Sequence, residues 1–337
     1  MGHKYLLLDS HIHLYSLHTI PLLKWEKQSP LYGQRRLDEY WENIESKGYD
    51  LRGVVWIECD AKTDVSKGLA GLDNSIEEFK YICRNIDGTL LKEEGESSEL
   101  KRGLIKAMVP FAPIPLGSHD VEKYVDILKK SSPAQFKHVK GFRYLIQDKE
   151  PDTITKDKFI DGLKWLDRHN YIFDLGIDIH SGGTWQFEDT LKAVKKVPKL
   201  KYIINHLTKP NLYQDPSAIE SDPTFIRWKE LMTEIYKTTP NSYMKLSGGF
   251  SEAPESILND NHKIADYVFP WFKVSFDLWG VDRTIWASNW PVCAVPAGPK
   301  IVTRWFEVTE LLFDRIGLDQ ESRSKVYFYN AFEAYNI

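Results

Sequence analysis

Short apolar runs rich in β-branched and aromatic residues recur along the whole chain, separated by stretches with helical spacing, and this alternation constrains the fold more than any other feature. The runs occupy residues 5–8, 53–57, 105–111, 139–146, 171–177, 200–204, 243–246 and 284–287, eight in all. Between them Phe159, Leu163 and Leu166 fall on one helical face, as do Phe225, Trp228, Leu231 and Ile235, and later Trp305, Val308, Leu311 and Leu312. Asn74-Ser75-Ile76-Glu77 resembles a capping box opening a helix that carries Ile76, Phe79 and Ile82. Eight parallel strands with helices between them close most economically into a (β/α)8 TIM barrel, and 337 residues leave room for loop insertions. The alternative, an open doubly wound sheet, wants a glycine-rich turn after the first strand, where this chain has Asp9-Ser10-His11.

No repeat, low-complexity tract or Pro/Gly-rich linker divides the sequence, so one domain over residues 1–337 is expected. A hydrophobic content of 42% supports a large core, and a formal net charge of -4 offers no basic face to nucleic acid or an anionic membrane. Cys59, Cys83 and Cys293 are scattered, which argues against a disulfide framework and for a reducing compartment. The first apolar run ends at Asp9, too soon for a signal sequence or a membrane span, and a myristoylation signal after Gly2 would want a hydroxyl where Leu6 stands. A soluble cytoplasmic protein with a small-molecule substrate is expected. Two surface excursions stand out: 85–102, whose charged run 92–99 reads as a solvated mobile loop, and 208–223, placed to cover a barrel mouth.

In a barrel of this kind the chemistry comes from the C-terminal ends of several strands. Polar residues do gather there: His11 and His13 after the first run, Glu58 after the second, Arg143 within the fourth, His180, His206 and Asn289 after the fifth, sixth and eighth. On an extended segment His11 and His13 point to the same side and can reach one metal ion or substrate group. Each residue alone has an ordinary explanation: His206 as a core imidazole on a carbonyl, Arg143 as the partner of a barrel acid. Their common register at strand ends is what favours a site.

The segments Asp9-Ser10-His11-Ile12-His13, Glu58-Cys59-Asp60, Gly141-Phe142-Arg143, His206-Leu207-Thr208-Lys209-Pro210, Lys245-Leu246-Ser247-Gly248 and Trp290-Pro291-Val292-Cys293 together resemble the amidohydrolase superfamily. Within it they are similar to the sugar-lactonase branch of L-fuconolactonases and L-rhamnono-1,4-lactonases. The resemblance implies a distorted (β/α)8 barrel that hydrolyses a sugar-acid lactone, L-rhamnono-1,4-lactone foremost, to the aldonic acid. One divalent metal, zinc, would sit on His11 and His13 with Glu58 as anionic ligand, although some lactonases of the branch work without metal. His180 and His206 would orient the water or take its proton, and Arg143 would bind the carbonyl oxygen. Trp185, Lys209 and Trp290, with Arg143, are the candidate substrate contacts, and a homodimer is expected from the family.

One position departs from the family. An aspartate usually precedes Trp-Pro, and here Asn289 stands in its place; an amide cannot take a proton from water near neutrality. Three explanations fit: a variant with another base, an inactivated form, or a sugar-acid binding protein on the same scaffold. A related decarboxylase is a further alternative.

Overall fold

The computed structural model describes residues 4–45 and 47–337; Gly2 lies outside the described residues. Every apolar run contributes a strand: β1 Tyr5–Ile12, β2 Tyr49–Ile57, β3 Ile105–Val109, β4 Gly141–Arg143, β5 Ile172–Leu175, β6 Tyr202–Ile204, β7 Tyr243–Leu246 and β8 Thr284–Trp286. All neighbouring pairs are parallel, in one sheet of order β1-β2-β3 and another of order β4-β5-β6-β7-β8. Single parallel bridges close the two seams: Met108 with Val139 and Phe111 with Arg143 between β3 and β4, and Ile12 with Trp290 between β1 and the segment after β8. The expected (β/α)8 barrel is therefore present, and distorted, because its seams are held by isolated bridges.

A helix follows each strand: α1 Leu37–Trp41, α2 Asp73–Asp87, α3 Ser118–Ser131, α4 Asp157–Arg168, α5 Thr184–Val194, α6 Pro223–Thr238, α7 Asn261–Arg283 and α8 Ile301–Arg315. The periodic apolar residues are the buried ones, with Phe159, Leu163 and Leu166 on α4 and Phe225, Trp228, Leu231 and Ile235 on α6 turned to the barrel. Two local expectations fail. The capping box at 74–77 does not form, because α2 starts at Asp73; Asn74 instead donates to the Lys62 carbonyl at 2.9 Å and Ser75 to the Leu72 carbonyl at 2.7 Å. The charged run at 92–99 is not merely solvated, since Glu94 is fully buried and its carboxylate accepts from Arg84 Nε and from the Leu91 backbone, both at 2.9 Å.

The core has two layers. Leu7, Trp56, Phe142, Phe173 and Tyr202 point outward to the helices. Leu8, Val55, Ile57, Ala107, Val109, Ile172, Ile203 and Ile285 form a second cluster with Ala331, Ala334 and Tyr335, so the C-terminal segment plugs one end of the barrel. Closing that end leaves the opposite, C-terminal ends of the strands as the place for polar chemistry. The three cysteines are buried free thiols, and among the described residues no helix is long and apolar enough to cross a membrane. Tyr335→Ala should cost about 3–5 kcal/mol of stability, as for other fully buried aromatics, read as a lowered midpoint in a denaturant titration.

Candidate active site

A cavity of about 230 Å³ opens among the strand ends, lined by His11, His13, Arg143, His206, Lys209 and Asn289 from the expected set and by Trp25, Leu31, Asp60, Leu145, Gln147, Asn205 and Val292 from the loops around them. His11 and His13 lie with their Nε2 atoms 3.2 Å apart. Their outer nitrogens have opposite surroundings, and these assign the protons. His13 Nδ1 faces the carbonyl oxygens of Ile57 at 3.1 Å and Glu58 at 3.0 Å, which only accept, so it carries the proton. His11 Nδ1 faces the Lys245 ammonium at 3.0 Å, whose other partner is Asp174 Oδ2 at 2.7 Å, so it accepts. The remaining proton of His11 is then on Nε2, donated to His13. Burial, reinforced by Lys245, holds His11 well below its ordinary pKa; burial, reinforced by Arg143, lowers His13 to about 3, and both rings are neutral.

Glu58 does not join them. Its Oε1 lies 2.8 Å from Arg143 Nε and its Oε2 accepts from the Asp60 backbone at 2.6 Å, so the carboxylate expected to complete a metal site instead anchors the guanidinium. The residues present do not fit a zinc ion. Among the described residues no three His, Cys, Asp or Glu side chains converge as a metal would require. A metal-bound imidazole donates its second N–H to an acceptor, whereas the second nitrogen of His11 faces an ammonium. Asn289 brings only a neutral oxygen. Both members of the Glu58–Arg143 pair are buried, so Glu58→Gln, which leaves the guanidinium unpaired, should destabilise the fold by about 3–5 kcal/mol in calorimetry or denaturant titration.

His206 is delivered by an unusual turn. After β6 the residues His206, Leu207, Thr208 and Lys209 have φ of 54°, 50°, 65° and 51°, a left-handed turn that costs non-glycine residues about 1–2 kcal/mol each. The surroundings hold it: Ile179 N donates to the Thr208 carbonyl at 3.2 Å, His180 N to the Lys209 carbonyl at 3.1 Å and Trp228 Nε1 to Thr208 Oγ1 at 2.8 Å. Both ends of the turn, His206 and Lys209, face the cavity. Gly248, at φ +85°, lets the next loop pass close, since a Cβ there would lie 2.9 Å from His206 Cβ. His206 Nδ1 lies 2.6 Å from Ser247 Oγ, and burial together with the nearby Lys209 ammonium keeps the ring neutral. Lys209 Nζ donates to Gln147 Oε1 at 3.2 Å and pairs with Asp178 at 3.4 Å. Asn205 donates to Asp174 Oδ1 at 2.6 Å, which leaves its own Oδ1 buried with no protein partner.

Besides Glu58, three expected residues are not brought to this cavity. His180 stands outside the lining, 2.9 Å from Glu252 Oε2 and beside the Tyr213 ring at 5.6 Å. Trp185 is in the first turn of α5 and 36% exposed, and Trp290 is buried edge-on against Tyr40 at 5.4 Å. Conversely, Lys245 and Asp174 are not among the expected site residues, although a charged residue inside each of the apolar strands Tyr243–Leu246 and Ile172–Leu175 is a legible signal. The loop residues Trp25, Leu31 and Val292 carried no signal. Glu252 raises the pKa of His180 above the usual 6.5, chiefly by the hydrogen bond. The pair therefore stabilises the fold below the unfolded histidine pKa and loses that contribution as pH rises through the raised value. An NMR titration should show the His180 pKa falling in Glu252→Gln.

Comparison with known proteins agrees with this architecture. Residues 138–337 match the family model described as Amidohydrolase. The chain is 61% identical over 334 residues to L-rhamnono-gamma-lactonase of Scheffersomyces stipitis, covering 99% of each chain. It is 25% identical to an L-fucono-1,5-lactonase of Burkholderia ambifaria, over 64% of this chain and 69% of that one. A zinc-bound crystal structure of an amidohydrolase from Burkholderia multivorans superposes with a TM-score of 0.69 at 18% identity, covering 98% of this chain and 99% of that one, a likeness of fold. The chain belongs to the amidohydrolase family.

Proposed function

We propose that the protein is a lactonase that hydrolyses L-rhamnono-1,4-lactone to the open aldonic acid. The observation that carries the reading is a neutral imidazole, His206, and an anchored guanidinium, Arg143, facing one small cavity of lactone size. The identity of 61% to an L-rhamnono-gamma-lactonase supports the choice of substrate. The buried free thiols suit the reducing cytoplasm.

Proton accounting selects the base. Both nitrogens of His11 and both of His13 are engaged within the protein. The amides Asn205 and Asn289 accept hydrogen bonds but no proton. His206 Nδ1 lies 2.6 Å from Ser247 Oγ, and in this scheme the ring donates its Nδ1–H there and keeps the Nε2 lone pair for water. It takes a proton as the water oxygen bonds to the lactone carbonyl carbon, and Arg143, fixed by Glu58, stabilises the oxyanion. Collapse of the tetrahedral intermediate breaks the bond to the ring oxygen, which recovers the proton from His206. The acid then ionises, so each turnover releases one proton. In this scheme Asn289 orients water or a hydroxyl, and the base that the family usually carries there is supplied from β6.

A pH-stat assay with L-rhamnono-1,4-lactone should show hydrolysis, and His206→Ala should lower kcat by about 10²–10⁴-fold with a smaller change in KM. Because the His206 pKa is lowered, the acid limb of the kcat/KM profile should lie below the ordinary imidazole value of about 6.5. Protein purified without chelator should contain no stoichiometric metal and keep its activity after chelator dialysis; stoichiometric zinc whose removal abolishes activity would contradict the scheme.

A further inference from the structure

The cavity wall has two chemically different halves. The β4 and β6 side supplies Arg143, Asn205, His206 and Lys209. The β1 and β8 loops meet at the seam where His13 N donates to the Trp290 carbonyl at 2.9 Å; beside Asn289 and the His11 and His13 rings, whose nitrogens are all engaged within the protein, this side supplies the apolar Leu31 and Val292. In an eight-stranded barrel this seam lies across from β4 and β5, so the two halves face one another. Leu31 is fixed in place: Tyr15 Oη donates to its carbonyl at 2.9 Å and its N–H to Ser29 Oγ at 3.2 Å. Val292 sits in a turn closed by Cys293 N to the Asn289 carbonyl at 3.1 Å. Trp25, from the same loop as Leu31, adds a buried indole N–H with no protein partner.

A 1,4-lactone of a 6-deoxy sugar matches this division. Its carbonyl is at one end of the ring, and the exocyclic tail, a hydroxyl-bearing C5 and the C6 methyl, leaves from the other. With the carbonyl on Arg143 and His206, the tail crosses to the β1/β8 side. Resting on the lactonase reading above, we propose that Leu31 and Val292 form a methyl-binding wall that selects 6-deoxy lactones. A C6 hydroxyl placed there would lose water and find apolar side chains in exchange.

The test compares kcat/KM for L-rhamnono-1,4-lactone and L-mannono-1,4-lactone, which differ only by the C6 hydroxyl. The wild-type protein should favour the rhamnono compound by about 10–100-fold, the range an apolar pocket can achieve against an added hydroxyl. Val292→Thr, an isosteric change, should reduce that preference at least about threefold, and Leu31→Asn should act in the same direction. Equal efficiency on both lactones overturns this inference alone. A preference that survives both folded variants overturns the assignment to these residues. Hydrolysis of neither lactone overturns the lactonase reading and this inference with it.

Discussion

A lysine ammonium sealed inside the barrel, with the Asp174 carboxylate at 2.7 Å on one side and the His11 ring at 3.0 Å on the other, is the contact on which the chemistry of the site rests. Lys245 and Asp174 are both fully buried, and breaking such a pair would strand a charge where water cannot reach it. The pair ties β5, β7 and β1 together at the level where the apolar barrel filling ends. Burial pushes the lysine pKa down, against the pull of Asp174, to about 8, so the ammonium persists at neutral pH. Its proton on His11 Nδ1 decides where the His11 proton stands, and that in turn engages His13. The two histidines most visible in the sequence are in this way held by the protein, and the imidazole left for water in the proposed reaction is His206.

The same economy of position governs His206. A left-handed turn of four non-glycine residues is a strained segment, and it persists because the β5 loop, α6 and Gly248 fix it from three directions. Strain of this kind is affordable in a barrel whose far end is filled by its own C-terminal segment and whose outer layer is densely aromatic. Arg143 is aimed in a comparable way, its Nε held by Glu58 so that the rest of the guanidinium is left for the cavity.

Much of the fold was legible because β-rich apolar runs and amphipathic helices repeat at regular intervals, and each run became a strand. Strand ends alone pointed to His11, His13, Arg143, His206 and Asn289, and also to Glu58 and His180, which the structure places outside the cavity lining. What the sequence did not carry were contacts between distant segments. Glu58 reads as a metal ligand from its position, yet Arg143, two strands away, takes its carboxylate. Trp290 follows a strand end and still packs outward on Tyr40, because ring direction depends on the turn and not on register. The capping pattern at 74–77 failed because the helix begins two residues earlier, at Asp73 with Leu72 as its cap. Leu31 and Val292 are ordinary apolar loop residues until the fold brings both into the lining of one cavity.

The proposed hydrolysis depends on a neutral His206 that offers an unprotonated Nε2 to water. Nitrogen NMR of the histidine side chains in the folded protein at neutral pH measures this directly. The expected result is a neutral His206 with its proton on Nδ1, toward Ser247, and a neutral His11 with its proton on Nε2. A His206 ring protonated on Nε2 at that pH would contradict it.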